Sequence, residues 1–325
     1  MIDSTHRRLW LQQAAALALS ATIVDAQAQG GSIRVLCGFA PGGSVDGLAR
    51  MAAEVLGPLL GGNAIVENIS GASGRIAIEQ VKAAKPDGST LVVAPQGPMT
   101  LFPYVFKNLR FDPAKDFTPL AHLAVGDFAL STGPLTGAKS VAEFRAWILA
   151  HPTQANFGSP GAGTLPHFVG LRVASALGIH LNHVPYRGSP LSMNDLAAGT
   201  LAAVISPVTE AMALHKAGRV RILATASTRR SPFVDGVPTL KELGYDVDVP
   251  LWYGLWGPAG MPSALVEKIN RGLAQAQATP ALKSRLALLG LEPGPMSSAE
   301  MAALRDREAA MWKPIVAASG FKPND

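Results

Sequence analysis

A chain of 325 residues that is 48% hydrophobic and 16% charged can bury the cores of two domains, and is too apolar to be disordered. Its net charge of +5 is spread over scattered Lys and Arg with no run longer than a pair, which argues against a nucleic-acid surface and leaves a mild field that favours small anions. The lone cysteine, Cys37, rules out an internal disulfide, and no Cys–His cluster has the spacing of a zinc site.

In chain order, residues 1–28 read as an export signal. Arg7 and Arg8 supply the positive start. Gln13 to Val24 is apolar but too short for a bilayer of about 20 residues, and Ala26-Gln27-Ala28 fits a small-residue cleavage site. The paired arginines also fit a twin-arginine signal. No later segment is long and apolar enough to span a membrane, so the mature chain is expected to be exported and soluble.

After this leader, strand-like and helix-like segments alternate. Ile33 to Phe39 reads as a strand. Leu48, Met51, Ala52, Val55, Leu56 and Leu59 then mark one face of a helix. Ser44 is its expected N-cap, Asp46 suits its positive first turn, and Gly61-Gly62 stops it. A strand at Ala64–Glu67, a glycine-rich turn at Gly71–Gly74, a helix through Ala84 and a strand at Leu91–Ala94 follow. Phe111 to Thr132 is a long apolar connection, broken at Gly126-Asp127, suited to carry the chain from one domain to another. Three more strand–turn–helix units come next, with helices at Pro166–Leu177, Pro190–Ala198 and up to Ala217. They stop at Gly178, Gly199 and Gly218, and a strand at Val220–Ala226 closes the series. The tail from Pro262 reads as helical. The alternation predicts an α/β architecture with mainly parallel strands.

In such sheets, ligands bind where strands lead into helices, at helix N-termini rich in unpaired N–H groups. Four turns here are built from Gly, Ser, Thr and Pro: Pro41–Ser44, Gly71–Gly74, Ser159–Thr164 and Tyr186–Pro190. If they converge, they make a donor-rich socket for one or two carboxylates. Other chemistries lack their residues. Gly158 to Thr164 has the glycines of a P-loop but no lysine, the first turn lacks G-x-G-x-x-G, no G-x-S-x-G occurs, and the seven His show no H-E-x-x-H spacing. No catalytic residue, cofactor or metal is therefore expected. His167 and Arg187 can each donate to an anion, or cap and pair on the surface. Asp46 can meet a ligand amine or ordered water, or serve only the helix dipole.

VLCGFAPGGSVDGLAR, VVENISGASGRIA, AKPDGSTLVVAP, FDPAKDFTPLAHLA, NFGSPGAGTLPHF, HVPYRGSPLSMNDLAAG, VPTLKELGY and LWYGLWGPAGMP occur in that order. Together they make the chain similar to the substrate-binding proteins of tripartite tricarboxylate transporters, the Bug family of periplasmic receptors, over about residues 32–323. The resemblance implies a type II periplasmic-binding-protein fold, with two α/β lobes flanking a ligand cleft and two hinge crossings. Lobe one would take residues 29–125 and 226–325, and lobe two residues 126–225. It also implies a non-catalytic periplasmic receptor that delivers a small carboxylate (a di- or tricarboxylate, aromatic acid or amino acid) to transporter membrane subunits, and acts as a monomer. Carried over by position, the ligand would meet Pro41, Gly42, Gly43, Ser44, Asp46 and Gln96 on one side. On the other it would meet Ser159, Gly161, Gly163, Thr164, His167, Tyr186, Arg187, Gly188 and Ser206. Where many relatives carry Asp after the strand AAVIS, this chain has Ser206-Pro207, and Arg75 and Gly38 also depart from the family pattern. Two alternatives remain open: a secreted serine hydrolase using Ser44 or Ser159, and a sensory co-receptor for the same kind of solute.

Overall fold

Residues 32–321 are described by a computed structural model, so the expected export signal lies outside the described residues. Two five-stranded sheets form the frame. The first opens with β1 (Ile33–Cys37), α1 (Ser44–Leu60), β2 (Ala64–Asn68), a 3₁₀ turn at Ala72–Gly74, α2 (Arg75–Lys82) and β3 (Thr90–Pro95). Two short helices, α3 (Gly97–Thr100) and α4 (Phe102–Val105), lead to β4 (Phe117–Gly126). The second sheet holds β5 (Phe128–Thr132), then α5 (Val141–Ala150), β6 (Asn156–Ser159), α6 (Leu165–Leu177) and β7 (Asn182–Pro185). It continues with α7 (Ser189–Ala197), β8 (Ala203–Pro207), α8 (Val208–Lys216) and β9 (Arg221–Thr225). The chain then returns to the first sheet through β10 (Leu251–Pro258) and ends in α9 (Ser263–Ala278), α10 (Pro280–Leu288) and α11 (Ser298–Ala318).

The first sheet runs β2-β1-β3-β10-β4 and the second β7-β6-β8-β5-β9. Where the alternation predicts mainly parallel pairing, the sheets are mixed. β1 and β6 pair in parallel with both neighbours, while β10 and β5 are antiparallel to both of theirs. The antiparallel strands are the two that arrive from the other sheet, so each enters against the direction set by the local strand–helix units.

Asp127 alone separates β4 from β5, so the expected connection at Phe111–Thr132 is largely two strands meeting at the first crossing. After β9 the chain stays with the second sheet. Thr239 bridges Thr225, the Leu240 N–H donates to the Thr225 carbonyl, and the Val249 N–H donates to that of Ala226. Pairing with the first sheet resumes at Leu251, on β10.

Local sequence explains most elements. IRVLC is apolar except at Arg34, which pairs with Glu67 on the neighbouring β2, because β1 is central and covered on both faces. Gly61, at φ 75°, closes α1 in the left-handed conformation, with its N–H on the Gly57 carbonyl. Two elements escape the periodicity argument. β10, LWYGLWGP, is buried at every position and so shows no alternation. α5 starts on a Ser140 cap that accepts from the Glu143 N–H, within a stretch whose helical signal is weak. Trp252, Trp256 and Trp312 are among the largest fully buried side chains, the first two on β10 and the third on α11.

Candidate functional site

The turn FAPGGSVD is organised by Asp46. Its carboxylate accepts from the Gly42 N–H at 3.0 Å, from Arg50 at 3.0 and 3.1 Å, and from Asn68 at 2.9 Å. Burial alone pushes this carboxyl up, but the bonds from Arg50, Gly42 and Asn68 outweigh it and hold it below the usual range. Asp46 is therefore spent on clasping the turn, and Pro41 and Gly42 lie on its exposed outer side.

Ser44 is the first residue of α1 rather than its cap, which is Gly43. Its N–H and hydroxyl both donate to Glu210 Oε1, at 2.9 and 3.0 Å. With its one proton so used, the Ser44 hydroxyl accepts from the Tyr253 hydroxyl at 2.9 Å. Glu210 stands in the first turn of α8, on the second sheet, so this chain of bonds joins the two halves of the molecule. Burial raises the Glu210 carboxyl and the Tyr253 phenol.

Around this bridge lies a narrow cavity of about 60 Å³. Its walls are mostly apolar, with Phe39, Phe102 and Leu251 from the first half and Phe128, Leu165 and Pro207 from the second. The starts of α1, α3, α6 and α7 border it at Ser44, Gly97, Leu165 and Ser189. Other contacts hold the halves together. The Ser73 hydroxyl donates to the Ala162 carbonyl at 2.8 Å, Thr209 Oγ1 donates to the Leu289 carbonyl, and Gly163 packs against α4.

Of the expected ligand residues, Gly43, Ser44, Asp46, Thr164 and Gly188 border this cavity. Gly161, Tyr186 and Arg187 gather instead around a second hollow on the outer side, with Ser73 and Gly74. The others are engaged elsewhere. Gln96 donates to the Pro250 carbonyl at 2.5 Å and accepts from the Trp252 N–H at 3.0 Å, tying β3 to the start of β10. Ser159 is fully buried and shares a 2.7 Å hydrogen bond with His183 Nε2. His167 stacks on His183 at 3.7 Å between ring centroids, and its Nδ1 accepts from the Gly163 N–H at 3.2 Å. Burial depresses His167 to about 4, so it is a neutral packing group rather than a cationic anchor. The Tyr186 hydroxyl donates to Asp195 at 2.6 Å, and Ser206 is buried with its hydroxyl on the Pro207 carbonyl at 3.2 Å. The Arg75 guanidinium sits 3.9 Å above the Phe106 ring, and its Nε donates to the Ala72 carbonyl at 3.0 Å. Gly38 has a packing reason, because a Cβ there would lie 2.7 Å from the Gly74 Cα where the first two turns touch.

Glu210 and Phe128 are cleft residues that local patterns miss, while Ser189 lies in the Tyr186–Pro190 turn that the sequence singles out. An acidic residue in the first turn of a helix ordinarily serves the dipole. Nothing near Glu210 in the chain signals that it reaches a serine 166 positions away. The hydrolase alternative finds no support here. Ser44 bonds Glu210 and Tyr253 rather than a histidine, and Ser159, which does meet one, is sealed from solvent.

The family model described as "Tripartite tricarboxylate transporter family receptor" matches residues 48–321. The chain belongs to this family. It is a family of substrate-binding receptors rather than enzymes. A "UPF0065 protein in gbd 5'region" of Cupriavidus necator is 32% identical over 95% of each chain. BugT of Bordetella pertussis is 27% identical over 89% of this chain and 90% of its own. Among solved structures, the periplasmic binding protein BugD superposes with a TM-score of 0.85 at 27% identity, covering 90% of this chain and 99% of that one. MatC from Rhodopseudomonas palustris, solved with bound malate, has a TM-score of 0.82 at 28% identity and covers 88% and 98%. A second R. palustris protein, solved with adipate, gives 0.86 at 28% identity over 90% and 98%. The fold is thus the two-lobed α/β architecture of periplasmic binding proteins of this type. No helix among the described residues is long and apolar enough to cross a membrane.

Proposed function

We propose that this receptor works in the periplasm, where it captures a small carboxylate solute between its two lobes and delivers it to the membrane subunits of a tripartite tricarboxylate-type transporter. The observation that carries this reading is the bordered cavity, where helix starts from both sheets meet in an apolar space. Gly43, Ser44, Thr164, Gly188 and Ser189 are the proposed ligand contacts. The leader-like residues 1–28 support export, and the receptor is proposed to act as a monomer. The proposed lobes divide at Asp127 and just before Leu251, so that residues 226–250 move with the second sheet. A ligand that touches both lobes favours closure, because only differential contact shifts the equilibrium between open and closed forms.

A thermal-shift screen against di- and tricarboxylates, aromatic acids and amino acids tests this. A ligand at about 100 times its Kd adds roughly 2.7 kcal/mol of stability, a shift of several degrees for a chain of this size. A saturable shift with one class supports the receptor reading and selects the ligand. No shift with any class, on protein stripped of co-purified solutes by unfolding and refolding, overturns it.

A further inference from the structure

The charged side chains bordering the cavity are all acidic. Asp46 and Glu210 border it, and no Lys, Arg or His does. The two acids are not equivalent. Asp46 is neutralised by Arg50 and bonded by Asn68 and the Gly42 N–H. Glu210 has no ion-pair partner among the described residues. Its Oε1 takes both Ser44 donors, and its Oε2 accepts no hydrogen bond from the protein. Glu210 is partly exposed, so water fills the acceptor sites the protein leaves open, and a ligand that displaces that water without supplying a donor loses affinity.

From the second sheet, Ser189, the first residue of the nine-residue α7, borders the same cavity. It is only 5% exposed, and its hydroxyl makes no hydrogen bond within the described residues. The cavity thus holds an unpaired acceptor on Glu210 and an unpaired hydroxyl at a helix start, set in an apolar wall.

We propose that Glu210 determines the ligand class of this receptor. The cleft takes a compact apolar solute bearing one amine and one carboxylate, the ammonium on Glu210 and the carboxylate toward Ser189, and it rejects a second carboxylate. The inference rests on the solute-receptor reading above. An ammonium completes the acceptor set of Glu210 and neutralises its charge. A plain apolar acid leaves Oε2 unpaired, and a dicarboxylate that spans the cleft brings like charge against it, so both bind less well. Ser206 and Pro207, at the end of β8, carry no charge, so Glu210 is the unneutralised acid on this side of the cavity.

Titration calorimetry on the refolded, ligand-free protein tests the inference with matched probes. Leucine and phenylalanine are compared with 4-methylpentanoate and 3-phenylpropanoate, which share their bodies but lack the amine, and with succinate, adipate and citrate. At least one amino acid is expected to bind tenfold or more tightly than its amine-free counterpart and than any polyacid. Glu210→Gln is expected to erase that preference while retaining a cooperative melt. Tighter binding of an amine-free acid or a polyacid by the wild type overturns the role of Glu210 and leaves the receptor reading standing. So does a Glu210→Gln protein with the preference intact. Should Glu210→Gln fail to fold, the wild-type ranking alone decides. Binding of no probe by the wild type overturns the inference, and the carboxylate screen above then decides the fate of the receptor reading separately.

Discussion

FAPGGSVD and SPGAGTLPH look alike in composition, and both join a strand to a helix, yet they send their polar groups to different places. In the first, Asp46 bonds the turn from within, and Ser44 is left to reach across to Glu210 on the other sheet. In the second, the hydroxyls of Ser159 and Thr164 both donate to the Gly161 carbonyl, at 3.1 and 2.7 Å, and the Gly163 N–H is taken by His167. The first turn exports its donors and the second consumes them. Glycine and serine in a strand–helix turn therefore indicate a possible anion seat, but the fate of the donors depends on whether a nearby side chain has already satisfied the turn.

The most damaging change to this arrangement is Gly163→Val. Gly163 has φ +73°, and a Cβ there would lie 2.7 Å from Val105 and 2.8 Å from Phe106, on the opposite half. A left-handed backbone costs a branched residue about 1–2 kcal/mol, and overpacking adds about 1–3 kcal/mol. The variant is expected to melt several degrees lower and to scatter X-rays as a more open particle. A wild-type scattering profile and melt would mean that the second turn is not a closure contact.

Acid separates the two turns next. Burial depresses His167 to about 4, and burial with the neighbouring His167 takes His183 to about 3. A histidine whose folded pKa lies below its unfolded value contributes stability that is complete above about 6.5 and lost as pH falls through the folded value. For His167 the difference from 6.5 to about 4 corresponds to an order of 3 kcal/mol at most. Asp46 is also lowered, but as a carboxylate its contribution is lost only as pH falls below its usual value. Between pH 6.5 and 4, the protection factor of the Gly163 amide, its exchange relative to the intrinsic rate at each pH, should fall while that of the Gly42 amide holds. A parallel fall at both would show that the turns share one opening event.

Asp46→Asn attacks the first turn directly. The substitution keeps an acceptor but removes the charge that Arg50 meets and places an amide against donors from Asn68 and Gly42. Hydrogen bonds to a charged group are worth about 1.5–3 kcal/mol, so the melting temperature should fall by several degrees, with faster exchange at Gly42. An unchanged melt would mean that the glycines alone hold the turn. Ser44→Ala is milder, because the backbone N–H still reaches Glu210. A loss of about 1 kcal/mol is expected, and no loss would leave the cross-sheet bridge to the backbone bond.

What the sequence made legible follows the range of the forces involved. The order of strands and helices could be read because helical periodicity and glycine stops are local. Gly61, Gly178 and Gly218 all adopt positive φ at or just past helix ends, where the sequence predicts the stops. The family was legible because its motifs sit in the turns. β10 was not, since a strand buried on both faces carries no alternation, and the two antiparallel insertions depend on which sheet the chain has just left. The cleft divides the same way. Ser44 stands in a turn that sequence alone singles out, whereas Glu210 and Tyr253 become cleft residues only when the halves meet.

Arg187→Ala carries the smallest expected effect and tests the export side of the comparison. The sequence makes Arg187 a natural clamp, being the only fixed charge in the Tyr186–Pro190 turn. In the structure it is exposed, borders the outer hollow rather than the cavity, and has no ion-pair or hydrogen-bond partner among the described residues. Its neighbour Gly188 does border the cavity, so the turn reaches the ligand space with its backbone while its charge faces water. Loss of a solvated cation there should change stability by less than about 0.5 kcal/mol. Affinity for whichever carboxylate the screen selects should move less than twofold, and mainly at low salt, where a distant charge still steers anions. A tenfold loss that persists at high salt would place the guanidinium against the ligand. The second half would then have to supply, through a side chain that swings inward, the donor that its glycine-serine turn does not export.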